Sequence, residues 1–131
     1  MAPRLSIGIL PDPETAPMWP HLVSLLEPAA RLGGHDVLSP GELVWFVWNG
    51  VEVPAAATTR MTVCGTAEII LCGGHGARDW AQPLADKVAA WATDEGASAV
   101  NIFGRRGWAR LIDWPIVEER EGLAKFEKVL A

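Results

Sequence analysis

The sequence has no tyrosine, only two cysteines, and no apolar run long enough to span a bilayer. Cys64 and Cys72 are eight residues apart, which is neither zinc-knuckle nor C-x-x-C spacing, and two thiols cannot make a disulfide-dense scaffold. His21, His35 and His75 are scattered without metal-ligand spacing, so no metal is expected. The longest strongly apolar stretch, 43–48, is six residues, and the first, 5–10, is cut off by Pro11-Asp12-Pro13. Neither a membrane span nor a signal peptide is expected. Positive charge is scarce too. Eleven Lys and Arg against sixteen Asp and Glu leave a net charge of −5, which argues against generic nucleic-acid or anionic-membrane binding. The reading is a soluble protein, cytoplasmic or packaged inside a particle made there.

What is present suffices for one domain, residues 1–131, with half of the residues apolar and no repeat or linker. Leu5, Ile7 and Ile9 alternate with Arg4, Ser6 and Gly8 and predict a first strand. After a proline-broken loop, Leu22, Val23, Leu25, Leu26, Ala29 and Ala30 predict a helix from near Trp19, kinked or divided at Pro28 and ended by Gly33-Gly34. Residues 42–72 predict an antiparallel meander: strand-forming residues to Trp48, a hairpin turn at Asn49-Gly50, a return strand over 51–64 with Pro54 at a bulge or edge, and a strand over 67–72. Trp45 and Trp48, three apart, must face opposite sides of their strand. Trp80, Leu84, Val88 and Trp91 fall on one helical face, with Asp79 and Gln82 at capping-box spacing and Gly96 as the stop. A strand over 99–103 and a short helix over 105–112 follow. The tail, with Leu123, Phe126 and Leu130, fits a helix or a hairpin turning at Glu121-Gly122; pattern alone leaves both open.

The glycine-rich stretch Gly73-Gly74-His75-Gly76-Ala77 lies between a strand and a helix. Helix starts carry unpartnered N–H groups and partial positive charge, and glycines let a phosphate come close. Arg78 adds a charge. The stretch lacks the Gly-Lys-Ser/Thr of a Walker loop and the third glycine of G-x-G-x-x-G. A tight connector that binds nothing is the alternative. By residue type alone, Glu68, Glu42 and His75 are candidate general bases, and no spacing selects one. The catalytic residues are therefore unknown at this stage. Arg105, Arg106 and Arg110 are the one local excess of positive charge.

The order of elements, together with Ile69-Ile70-Leu71-Cys72-Gly73-Gly74-His75-Gly76-Ala77, resembles the GNAT acyltransferase superfamily. The resemblance implies an α+β fold, a mixed, mostly antiparallel twisted sheet flanked by helices. It also implies cofactor contacts to acetyl-CoA from Leu71, Gly73, Gly74, His75, Gly76, Ala77 and Arg78. Two departures stand out: Leu71 holds the place of the family's Arg or Gln, and the tyrosine that many members use to protonate the leaving thiolate is missing. Trp91-Ala92-Thr93-Asp94-Glu95-Gly96-Ala97 and Gly104-Arg105-Arg106-Gly107-Trp108 are similar to small GNAT-like proteins encoded among tailed-bacteriophage virion genes. That likeness implies a protein working by contact, with protein partners or further copies of itself, as a component of a phage-type particle. An acetyl-CoA-dependent N-acyltransferase is the alternative. Nucleic-acid contact through the arginines is a third, weaker reading.

Overall fold

The computed structural model describes residues 4–130. One seven-stranded sheet organises them: β1 (Ser6–Ile9), β2 (Leu43–Trp48), β3 (Ala55–Met61), β4 (Ala67–Gly74), β5 (Ala99–Arg105), β6 (Ile116–Arg120) and β7 (Leu123–Val129). The spatial order is β1-β2-β3-β4-β5-β7-β6. Every neighbouring pair is antiparallel except β4 and β5, which run parallel because helix α2 (Ala77–Asp94) carries the chain between them. Helix α1 (Trp19–Gly33) covers the opposite face.

Residue parity sorts the core into two layers. Trp45 and Val47 of β2 lie with Trp80, Leu84 and Val88 of α2, whereas Val44 lies with Leu22, Leu26 and Ala30 of α1. The Trp45 ring meets Trp91 edge-on at 5.9 Å, while Trp48 is on the other face and exposed. Both helices cross the middle of the sheet, and β3 meets that with Ala55, Ala56 and Ala57, all fully buried. The small side chains there let both backbones approach closely.

The structure corrects several sequence expectations. Asn49-Gly50 is no two-residue hairpin: the Asn49 Oδ1 accepts the amides of Val51 and Glu52, and the connection runs to Pro54. The return strand begins only at Ala55, so Pro54 marks neither bulge nor edge within it. Pro28 does not divide α1, which is continuous from Trp19 to Gly33. Of the two helix starts that the sequence leaves open, the earlier one is found: α2 begins before the Asp79–Gln82 pair, with Gly76 as its cap in the left-handed region at φ 70°. Gln82 instead bonds Asp86 and accepts the Asp113 amide. The segment after β5 is a single 3-10 turn, Arg106–Arg110. The tail is the hairpin, not the helix. Glu121 and Gly122 both have positive φ, 52° and 80°, as a type I′ turn requires.

No helix among the described residues is long and apolar enough to cross a membrane. No group of three or more His, Cys, Asp or Glu side chains among them could hold a metal ion.

Candidate functional site: a cleft where two parallel strands part

Strands β4 and β5 pair over only three positions, Ala67 with Val100, Glu68 with Asn101 and Ile69 with Ile102. Beyond them the strands separate. The cause lies on the other side of β4, where Thr59 of β3 pairs with Ile69 and Thr58 with Leu71, so Ile70 is an extra residue. Such a bulge bends its strand and sharpens its twist. The packing shows it independently: Ile69 faces α2, Ile70 and Leu71 both face α1, and Cys72 returns to the α2 side. The Thr58 hydroxyl accepts the Leu71 amide at 3.2 Å and so supplies a partner where the ladder is irregular.

The parting strands leave a cleft of about 500 Å³. It is lined by Ile70 and Cys72 of β4, Ile102 and Phe103 of β5, Leu123 of β7, and Ala29 and Leu32 of α1. Trp108 enters from the 3-10 turn. It lies against Gly104, where a Cβ would sit 2.8 Å from the indole, and meets Trp80 edge-on at 6.3 Å. The polar groups on the cleft are His35, Arg105, Arg120 and Glu121. His35 is held there by the end of α1: Gly34 adopts φ 67° and the His35 amide reaches back to Ala30 O at 2.9 Å. The Arg120 guanidinium stacks on Phe103 at 5.1 Å. Burial pushes the Cys72 thiol up from 9.0 to about 12, so it stays protonated at neutral pH.

The glycine loop divides into structural and open parts. Leu71 is buried under α1. A Cβ on Gly73 would fall 2.0 Å from Leu25 O, and one on Gly74 2.1 Å from Pro54 O, so both glycines answer to close backbone approaches inside the protein. The His75 amide bonds Pro54 O and its carbonyl accepts Trp80 Nε1 at 2.7 Å. A Cβ on Gly76 would meet only the Asp79 carboxylate, at 3.9 Å, and the amides of Gly76, Ala77 and Arg78 have no protein partner among the described residues. A recess of about 100 Å³ at this helix start also carries the Glu52 and Asp79 carboxylates, with His75 Nε2 3.8 Å from Glu52.

None of the three candidate bases lines the cleft. Glu68 is beside Arg60 at 3.5 Å, Glu42 accepts the Ser39 amide, and His75 is on the recess. The arginine cluster also disperses: Arg106 pairs with Glu119 at 3.0 Å, Arg105 lines the cleft, and Arg110 does not. Sequence reasoning missed His35, Arg120 and Glu121. For the last two the Glu121-Gly122 turn signal was available, since the hairpin it specifies carries them to the end of β5.

No family model matches the chain, and no curated protein matches it. Solved structures do. An IAA acetyltransferase from Bacillus cereus gives a TM-score of 0.71 at 15% identity, with 97% of this chain and 100% of that one covered. A GNAT family acetyltransferase from Elizabethkingia anophelis with acetyl-CoA bound gives 0.70 at 12%, covering 96% and 98%. The Campylobacter jejuni N-acetyltransferase PseH in complex with acetyl coenzyme A gives 0.63 at 9%, covering 96% and 100%. These matches overturn the phage-particle reading as the leading one: the folds found alike are those of acetyltransferases, and nothing among them points to a virion. The architecture of this chain is the GNAT fold, a seven-stranded, mostly antiparallel twisted sheet with a helix on each face.

Proposed function

We propose that the chain is an N-acyltransferase that takes its acyl group from acetyl-CoA. The observation that carries this reading is the cleft at the Ile70 bulge, opening between β4 and β5 at the end of β4 that leads into α2. The donor sets fit the cofactor's two chemistries. Three open amides at a helix start, with Arg78 beside them, suit a pyrophosphate; an apolar gap between strands suits a pantetheine arm. Of the seven loop positions, Gly76, Ala77 and Arg78 make the contacts, and Leu71, Gly73, Gly74 and His75 shape the loop. When bound, acetyl-CoA would supply a thioester whose C–S bond breaks as a C–N bond forms to an amine.

The chain's own residues do the rest. A protonated Cys72 is no nucleophile, so transfer is direct and no acyl-cysteine forms. The Glu121 carboxylate and the His35 imidazole are the groups on the cleft able to take a proton from the acceptor amine. With no tyrosine in the chain, solvent at the open end of the cleft returns a proton to the leaving thiolate. A ligand seated against Phe103, Leu32 and Trp108 would displace water from the cleft's apolar part.

Thermal melting with and without acetyl-CoA tests the reading. A ligand at a hundred times its Kd stabilises the folded state by about 2.7 kcal/mol, a rise of several degrees in Tm. No rise at millimolar acetyl-CoA, with no release of free CoA thiol in the presence of amines, would overturn it.

A further inference from the structure

We infer that the cleft selects an acceptor amine carrying a carboxylate and an apolar side chain, the chemistry of an apolar α-amino acid. The transfer step rests on the acyltransferase reading; recognition of the carboxylate does not.

Two features of the cleft carry the inference. The first is its cations. Arg105, at the end of β5, lines the cleft and has no acidic partner within 4.0 Å among the described residues. Its chain neighbour Arg106 is taken by Glu119 at 3.0 Å and Arg110 is off the cleft, so of these three arginines Arg105 is the one on the cleft and open to a ligand. Arg120 joins it from the hairpin. It is oriented by stacking on Phe103 and reaches Glu118 only at 3.9 Å. A planar guanidinium whose face is stacked still offers its edge donors to a carboxylate. The second feature is an apolar pair. Leu32 and Phe103, 56% and 38% exposed, are large hydrophobic side chains that line this same cleft from α1 and from β5. Solvated apolar side chains next to one unpaired and one loosely paired guanidinium suit a ligand that is anionic at one end and apolar along its body.

Glu121 supplies the complement. It lies one residue after Arg120, its backbone held at φ 52° by the type I′ turn, and its carboxylate is the one acidic group on the cleft among the described residues. An ammonium beside Glu121 and a carboxylate beside Arg105 and Arg120 together orient an amino acid, where a simple amine would meet only the first.

Calorimetric titration with N-acetyl-L-phenylalanine and with N-acetylphenethylamine, its analogue without the carboxylate, tests this on the full chain without any turnover. The carboxylate is expected to bind at least ten times more tightly. Arg105→Ala should weaken it about ten- to a hundredfold, Arg105→Lys less, and neither should change affinity for the neutral amide. Arg110→Ala, outside the cleft, should leave both affinities as they are. Because Arg105 holds no ion pair among the described residues, Arg105→Ala should melt with the wild type, which separates lost binding from lost folding. Equal affinity for the two ligands, binding of neither, or an Arg105→Ala protein that binds like wild type would overturn the inference. The melting shift with acetyl-CoA, measured in parallel, bears on the transfer step alone: its absence with the carboxylate preference intact removes the acyltransferase reading and leaves the anion site standing.

Discussion

Replacing Gly73 by alanine should damage the fold before it touches any ligand. The added Cβ would lie 2.0 Å from Leu25 O and 3.1 Å from Leu25 C, and neither atom belongs to a side chain that could rotate away. To restore a tolerable separation, α1 must lift off β4 by about 1 Å, which loosens the packing of Leu22 and Leu26, both fully buried. Forced overpacking of this kind costs about 3 kcal/mol, only partly offset by the lower entropy of an unfolded chain with one glycine fewer. For a domain of this size that is a fall of about 10 °C in Tm. Gly76→Ala is the control, because a Cβ there would make only an ordinary contact with Asp79 at 3.9 Å and the substitution costs only the strain of φ 70°, about 1 kcal/mol. Calorimetry or far-ultraviolet circular dichroism reads both. A Gly73→Ala protein melting within about 3 °C of wild type, or no lower than Gly76→Ala, would refute the assignment of Gly73 to helix packing.

Four further outcomes are expected. Thr58→Val keeps the side-chain shape but removes the hydroxyl that accepts the Leu71 amide at the bulge; it should cost about 1–3 kcal/mol in denaturant unfolding. The raised Cys72 pKa means that the unfolded chain ionises this thiol first as pH climbs. Stability should therefore hold below pH 9.0 and decline toward pH 12, and Cys72→Ala should flatten that decline in melts across the range. At neutral pH a thiol reagent should label the exposed Cys64 quickly and the half-buried, protonated Cys72 much more slowly. Glu121→Asn relieves the left-handed strain at the hairpin turn, so Tm should rise by about 2–3 °C while turnover with an amino-acid acceptor falls at least tenfold.

Periodicity was a reliable guide where one face is apolar and the other is not. The Trp80-Leu84-Val88-Trp91 stripe and the opposed Trp45 and Trp48 are where their spacing puts them. It failed to find the bulge because Ile69-Ile70-Leu71 is apolar on both sides of a strand covered by two helices, so an extra residue leaves no mark in the pattern. Asn49-Gly50 misled because the Asn49 side chain satisfies a longer turn equally well. The glycine stretch was legible as a strand-to-helix loop, but not the separate reasons for its glycines, two of which depend on how closely Leu25 and Pro54 pass. The cleft itself gathers residues from α1, β4, β5 and the last hairpin, separated by up to 95 positions (Pro28 to Leu123). No local spacing could have brought them together, and residue type alone pointed to Glu42, Glu68 and His75 instead.

The extra residue in β4 also makes the cleft a matter of one codon. Deleting Ile70 would restore an uninterrupted ladder to β3 and remove the bend that parts β4 from β5, while both helices and the other six strands keep their sequences. Gain or loss of such a fork in this architecture thus needs no new element, only an insertion or deletion of three nucleotides.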